Sequence, residues 1–403
     1  MGWSNTISML KNDGVKLLGI CDVDQNVLTR RLEEIKKQDT KAGKTIKIYT
    51  DYRKLLNNKN IDVIIIGTPD HWHCKMMVDA CASKKAVYVE KPISNTIEEC
   101  RIMLAAAKKY GSIVQVGQWQ RSGSHYRDAI KIVQSGQLEN IRLVKVWAYQ
   151  GWMKPVLPQP DTVVPAGVDY KSWLGPAPNK PFNVNRFHFN FRWFWDYAGG
   201  LMTDWGVHEI DIALYAMGAT VPKSVVASGG KLAYPNDASE TPDTLQAIFE
   251  YENFNMLWEH ATGIDKGPYE KREGIAFIGN NGTLVLNRDG YEVLVEKEAE
   301  GYSNWGDNKM KTVATKKRPK GINYLDVHTH NFVEAVRAND ANILNTPIES
   351  GSIAAINAQM GNIAYKTGDK LFWDAKTNQF KENIEANKLL KASYYNGWQK
   401  PLV

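Results

Sequence analysis

"IDVIIIGTPDHWH", residues 61–73, is the stretch whose reading decides the fold. Its apolar, β-branched run does not alternate, which predicts a strand covered on both faces inside a parallel sheet. Gly67, Thr68 and Pro69 stop the strand, and "HCKMMVDACAS" (73–83) begins a helix. The same alternation extends in both directions. Upstream, "NTISMLKND" (5–13) reads as a short helix and "VKLLGICDVD" (15–24) as an apolar run ending in acids. "QNVLTRRLEEIKKQ" (25–38) is an amphipathic helix, "IKIYT" (46–50) a strand and "DYRKLLNN" (51–58) a helix. Downstream come "AVYVEKP" (86–92), "TIEECRIMLAAAKKYG" (96–111) and "SIVQVG" (112–117). Strands separated by helices of this size predict βαβ units in a doubly wound α/β sheet.

Past Gly117 the pattern changes. "SHYRDAIKIVQSG" (124–136) reads as a bridging helix and "IRLVKVWAYQG" (141–151) as a strand of period two. A loop region rich in Pro and aromatics fills 151–198, and "DWGVHEIDIALYAMG" (204–218) reads as a helix. Six strands of antiparallel type then run from "KSVVASGG" (223–230) to "YEVLVE" (291–296), with "GNNGT" (279–283) as a hairpin turn. "SGSIAAINAQMGNIAYKTG" (350–368) adds a helix. The expected architecture is a Rossmann domain over 1–121 and an α+β domain over 122–403. The second domain is built on a large, mostly antiparallel open sheet, half covered by helices.

The 403 residues suffice for two domains and a substantial core. No apolar run is long enough to span a membrane. The net charge of +6 is modest, and its clearest cluster, "KMKTVATKKRPK" (309–320), reads as a solvated loop rather than a nucleic-acid site. Cys21, Cys74, Cys81 and Cys100 form no C-x-x-C pair, so free thiols are expected, as in a reducing compartment. Trp, at 13 residues, is the outlier. An indole suits both a core and the apolar face of a sugar ring.

Asp22 follows Gly2 by 20 residues, at the end of an apolar run. That is the spacing between a glycine turn and the acid that binds the adenosine ribose. On this reading Gly2 and Trp3 end a glycine loop, Ser4 opens the helix facing a pyrophosphate, and the first strand lies upstream of Met1. The other reading starts the sheet at "VKLLGI" (15–20). The acid selects NAD over NADP, since a carboxylate repels a 2′-phosphate and the next basic residue is Arg30.

Two motifs carry chemistry. "VYVEKPIS" (87–94) ends a strand in Glu90-Lys91-Pro92, at the carboxyl edge where such sheets bind ligands. Pro92 fixes the turn and is a candidate for a cis bond. "GGLMTDWGVHEID" (199–211) sets Asp204 and His208 four apart, so on one helical face, as a base with an orienting acid. Taken singly, Lys91 reads equally as a surface lysine, and Asp204 as a helix cap beside a structural histidine. His71 and His73, like His328 and His330, lack the carboxylates or cysteines of a metal site, so no metal is expected.

Together the two motifs closely resemble the glucose–fructose oxidoreductase/inositol dehydrogenase (Gfo/Idh/MocA) family. The resemblance runs through "GTPDHWH" (67–73), "DTLQAIFEY" (243–251), "AFIGNNGTL" (276–284), "HNFVEAVRAND" (330–340) and "PIESG" (347–351), essentially the whole chain. "DHWH" and "DWGVH" look most like its large branch in Bacteroidetes-type bacteria, which often carries export signals. The periplasm is therefore the alternative to the cytoplasm. The chain departs from the family in lacking the opening strand and glycine loop. The resemblance implies that Lys91 bonds the reacting oxygen and His208 accepts the hydroxyl proton. Asp204 binds a neighbouring hydroxyl or orients the histidine. It implies that Thr68, Pro69, His73, Glu90 and Gln118 line the nicotinamide half of the cleft.

The function expected is NAD-dependent hydride transfer at a secondary hydroxyl of a sugar, cyclitol or glycoside. Arg186, Arg192, Trp195 and Tyr197 are candidates for substrate contact or for loop packing. The alternatives are an NAD-dependent glycosidase that oxidises the ring transiently, and a non-catalytic NAD-binding protein. The family also implies a homodimer or homotetramer through the second-domain sheet.

Overall fold

The computed structural model describes residues 1–38 and 45–403. The first unit runs α1 (Gly2–Met9), β1 (Gly19–Cys21), α2 (Gln25–Gln38), β2 (Lys47–Tyr49), α3 (Tyr52–Leu56), β3 (Val63–Ile66), α4 (Asp70–Ala82), β4 (Ala86–Val89), α5 (Ile97–Tyr110) and β5 (Val114–Val116). Its ends are set locally. Asp51 caps α3, Thr96 accepts from the Glu99 amide at the start of α5, and Gly111 at φ 60° stops that helix.

All ladders here are parallel, β1 with β2 and β3-β4-β5 in order. Among the described residues no ladder joins β1 to β3, so the parallel strands form two small sheets. Residues of β1 and β3 line one cavity of about 1280 Å³. β3, whose sequence suits burial on both faces, is therefore only half-buried along most of its length.

Helix α6 (Ser124–Gln134) bridges to β6 (Leu143–Gln150), the middle of a ten-stranded sheet. The other elements are α7 (Tyr170–Leu174), α8 (Gly200–Asp204), α9 (Gly206–Met217), β7 (Ser224–Gly230), β8 (Thr244–Glu250), β9 (Asn255–Thr262), β10 (Glu273–Ile278), β11 (Gly282–Asn287) and β12 (Gly290–Val295). They continue with β13 (Lys297–Ala299), β14 (Trp305–Asn308), β15 (Lys316–Lys317), α10 (Tyr324–Ala338), α11 (Ile348–Thr367), β16 (Leu371–Asp374), β17 (Gln379–Phe380) and α12 (Ile384–Leu389). The sheet order is β15-β12-β11-β10-β6-β9-β8-β7-β16-β17, antiparallel except for β6 with β9. Strand alternation turns Val144 and Val146 of β6, Phe249 of β8 and Trp258 of β9 inward. They pack on Tyr126 of α6, Ile210 and Leu214 of α9, and Ala354 and Ala358 of α11. Part of the basic stretch 309–320 forms the edge strand β15.

The chain then returns to its first unit, a step no periodicity announces. Ser8 donates to Asp326 (2.6 Å) and contacts Thr329, which ties α1 to α10. Phe332, Val333 and Leu344 join Met9, Tyr88 and Ile113 in one cluster. Helix α11 serves both cores, through Ile348 and Ala355 on one side and Ala354 and Ala358 on the other. This shared helix fixes the end of β4 against α8 and α9. All four cysteines are free thiols. No helix among the described residues is long and apolar enough to cross a membrane.

Candidate active site

The site forms where the turn after β4 meets the junction of α8 and α9. The Lys91–Pro92 peptide is cis. Glu90 faces inward: its Oε1 accepts from Asn5 Nδ2 (2.6 Å) and its Oε2 from the Lys91 amide (3.2 Å). A Cβ on Gly117 would lie 2.9 Å from the Glu90 carboxylate, so only glycine allows this approach. Gly200, at φ 66° and against Thr241, opens α8 under the same kind of constraint.

Asp204 ends α8, and His208 lies in the first turn of α9, which begins one residue past Trp205. Lys91 Nζ donates to Asp204 Oδ1 (2.8 Å) and to its carbonyl oxygen (2.7 Å). Arg192 Nε donates to the same Oδ1 at 3.3 Å, its guanidinium lying over Phe189 and Phe191. The Lys91 and Asp204 side chains are 10% and 20% exposed, a largely desolvated pair. Burial pushes the Asp204 carboxyl up, but Lys91 and Arg192 overcome it and hold the group below its ordinary range. His208 is held well below the usual histidine value by burial, then by Lys91 and Arg288, so its ring is neutral. Its Nδ1 is buried without a partner among the described residues. Arg288 lies over the rings of Trp205 (4.2 Å) and Trp119 (4.8 Å) and donates to Gln120 (3.1 Å).

The cavity of the first unit reaches this cluster. Of the residues singled out by sequence, Gly2, Trp3, Asp22, Thr68, Pro69, His73, Glu90, Lys91 and Arg192 line it. Asp22 sits at the carboxyl end of β1, its carboxyl raised by burial, with Oδ1 accepting from the Asp24 amide. A Cβ on Gly67 would come within 2.6 Å of Gly2 Cα, so the end of β3 closely approaches the first turn of α1. Gln118 donates to the Val207 carbonyl (3.0 Å). Its Oε1 is buried and unpartnered among the described residues but lies off the cavity lining, whereas Thr68 Oγ1, equally unpartnered, is on it and leaves a polar group for a ligand. An acid at one strand end, a helix start and an unspent polar group on the cavity wall fit a dinucleotide.

Other candidates are committed elsewhere. Both His73 nitrogens face carbonyl oxygens, of Pro92 (2.8 Å) and Thr68 (2.9 Å), so its ring braces the turn. His71 contacts the Trp173 carbonyl, and burial lowers both histidines to about 4. Tyr197 is fully buried between His71 and Trp173. Trp195 donates its indole N–H to the Glu240 carbonyl and carries the Lys366 ammonium over its ring. Neither aromatic lines the cavity. Arg186 pairs with Asp161. His328 bonds Ser122 and the Val116 carbonyl, and His330 bonds Asn12.

Sequence reasoning missed Asp70, Asn5 and Arg288. Asp70 opens α4, is buried, and lines the cavity. Burial raises its carboxyl well above the ordinary range, against the pull of Arg192 and Lys91.

Residues 5–118 match the model of the oxidoreductase family with an NAD-binding Rossmann fold (GFO_IDH_MocA). Residues 131–241 match the model of that family's C-terminal alpha/beta domain. The chain is 30% identical over 210 residues to an uncharacterized oxidoreductase, YrbE, of Bacillus subtilis, covering 52% of this chain and 51% of the relative. It is 39% identical over 112 residues to an alpha-N-acetylgalactosaminidase of Shewanella oneidensis, 27% of this chain and 24% of that one. The chain thus spans about half or less of the curated relatives it matches. The fold is shared with the WlbA dehydrogenase of Bordetella pertussis, solved in complex with NADH and UDP-GlcNAcA. That likeness has a TM-score of 0.64 at 16% identity and covers 93% of this chain and 96% of the other.

Proposed function

The chain belongs to the Gfo/Idh/MocA oxidoreductase family, and from that premise we propose that it is an NAD-dependent dehydrogenase. Its substrate is a secondary hydroxyl of a sugar, cyclitol or glycoside. The observation that carries the reading is the donor count of Lys91. An ammonium has three N–H donors. Two go to Asp204, and the third remains for the reacting oxygen. Bound NAD would supply the hydride acceptor. Lys91 stabilises the negative charge that develops as the hydroxyl proton leaves. His208, neutral, takes that proton. Asp204, kept ionised by two cations, accepts from a neighbouring hydroxyl or steers the histidine. Arg192 contributes the substrate contact expected of it, whereas Trp195 and Tyr197 act through packing. Asp22 accepts from the ribose hydroxyls, which favours NAD over NADP.

A second reading has support in the relative named as an alpha-N-acetylgalactosaminidase. In an NAD-dependent glycosidase bound NAD would supply the acceptor and later the donor of the hydride while the same side chains move the protons of oxidation and elimination, so no NADH accumulates. We further divide the chain at 121/122 and assign the outer face of the large sheet to self-association as a homodimer or homotetramer. Exposed Leu143, Ile248 and Leu294 on that face support this. The test is NADH formation across a panel of sugars, cyclitols and aryl glycosides. Net NADH with a free sugar or cyclitol supports the dehydrogenase. Release of the aryl group without net NADH favours the glycosidase. Tight NAD binding with neither product leaves the non-catalytic reading.

A further inference from the structure

The last dozen residues leave the second unit and cross back over the first. The Ala392 amide donates to Glu98 (2.7 Å), Tyr394 donates its hydroxyl to Glu99 (2.9 Å), and Lys400 pairs with Glu98 (2.8 Å). These hold the segment on α5. On its other side, the Tyr395 amide donates to the Pro176 carbonyl, and Asn396 Nδ2 donates to the carbonyls of Gly175 and Ala177. The segment is thus a strap between the nucleotide unit and the loop after α7. Asn396 and Gly397, at φ 55° and 79°, turn the chain so that Trp398 points back inward.

Trp398 is partly exposed and lines the cavity. Its indole meets Trp72 edge-on at 4.8 Å and stacks against Tyr52 at 6.5 Å, with the Arg53 guanidinium 5.2 Å from its ring. Tyr52 and Arg53 follow β2, and Trp72 lies in the first turn after β3. Lys91, by contrast, follows β4. With the adenosine ribose on Asp22 at the end of β1 and the reacting end at Lys91, the base attached to that ribose falls on the β2 side. An adenine has two π-faces that stack on aromatic rings.

We propose that Trp398, delivered by the C-terminal strap, forms a wall of the adenine subsite, so that nucleotide binding and strap docking are one event. The proposal rests on the NAD reading. It also couples the two units, because the strap is anchored on both.

The test uses the full chain and ADP-ribose, which carries the adenosine end without the nicotinamide. Hydrogen–deuterium exchange should show ADP-ribose slowing exchange in 392–400 as well as around Asp22. Calorimetry should show W398A weakening ADP-ribose and NADH by the same factor, about 5- to 150-fold, the usual range for a base–aromatic stack. W398F should retain most of the affinity. Y394F, which loosens the strap without touching the cavity, should weaken ADP-ribose with Trp398 still in place. Protection around Asp22 with no change in 392–400, together with unchanged affinity in Y394F, overturns the proposal while leaving the NAD reading intact. Absence of ADP-ribose binding overturns both.

Discussion

Lys91→Met removes an ammonium that bridges the two units at the candidate site. Two consequences follow, and they separate. The first concerns chemistry. The variant loses the third donor and the positive charge beside the developing alkoxide, worth about 10²–10³ in turnover. The second concerns the fold. Asp204 loses its nearest cation but keeps Arg192 at 3.3 Å. Stripping one partner from a fully buried pair costs about 3–5 kcal/mol, whereas an exposed pair is worth about 0–1. With side chains 10% and 20% exposed and a second cation in place, about 1–3 kcal/mol is expected. Asp204 should also titrate higher in the variant, because Lys91 heads the charges that hold it low. Its depressed value stabilises the native fold above the ordinary carboxylate range and is lost as pH falls through it. The variant should therefore lose more stability near pH 7 than at pH 3. The assay pairs thermal melts at several pH values with NADH formation from whichever substrate the wild type turns over best. A variant that melts lower but turns over within about threefold of the wild type would refute Lys91 as the group on the reacting oxygen.

Three further outcomes are expected. His208→Ala should lower turnover; in the wild type the acid limb of the pH–rate profile should lie well below 6.5, since burial, Lys91 and Arg288 all depress the ring. A limb centred near 6.5, with chemistry limiting, would remove His208 as the base. Asp22→Ala should shift the NAD/NADP affinity ratio toward NADP by about tenfold, the scale of one charge repulsion of ~1–2 kcal/mol, as read by calorimetry with both nucleotides. Glu209, buried, has its carboxyl raised to about 8. The native state then holds a proton that the unfolded state has lost, and stability drains as pH rises from about 4.5 to 8. Glu209→Gln should flatten that decline in melting temperature, and parallel curves for the two proteins would count against it.

What the sequence made legible was local. Helix α2 matches its amphipathic stretch residue for residue, because charge and apolar spacing are properties of the segment itself. The period-two alternation of β6 foretold one buried sheet face for the same reason. Pairing was not legible. That β6 runs parallel to β9, or that Ser8 meets Asp326, depends on contacts the whole chain must fold to make. β3 shows the boundary between the two. Its side chains encode covered faces, while the gap toward β1 was implied only by the Gly2–Asp22 spacing, not by β3 itself. At the site, Lys91, Asp204 and His208 could be found because strand end and helical spacing are local patterns. Trp195 and Tyr197 were chosen by residue type, and type does not reveal that Glu240, Lys366, His71 and Trp173 already occupy their faces. Arg288 gave no signal, being a single charge beside a turn, and Asp70 lay within the quoted "DHWH" motif with nothing in its spacing to assign it a role.

The missed residue Arg288 alters how the candidate base must work. An imidazolium at His208 would sit in a buried site with two cations, Lys91 and Arg288, acting on it. The ring is thus always ready to accept a proton and poorly able to keep one. Substrate oxidation then depends on developing charge at the Lys91 end offsetting the proton gained by His208. Asp204 supplies part of that balance, because its carboxylate already neutralises Lys91 and Arg192 in the resting site. Replacing Asp204 with Asn would strip Lys91 and Arg192 of their shared counter-charge and leave His208 facing Lys91 and Arg288 without it. Its cost to turnover should therefore grow as pH falls, and should be partly relieved when Arg288 is also neutralised. Losses that simply add in the double variant would mean that the two residues act through separate routes rather than through the charge felt by His208.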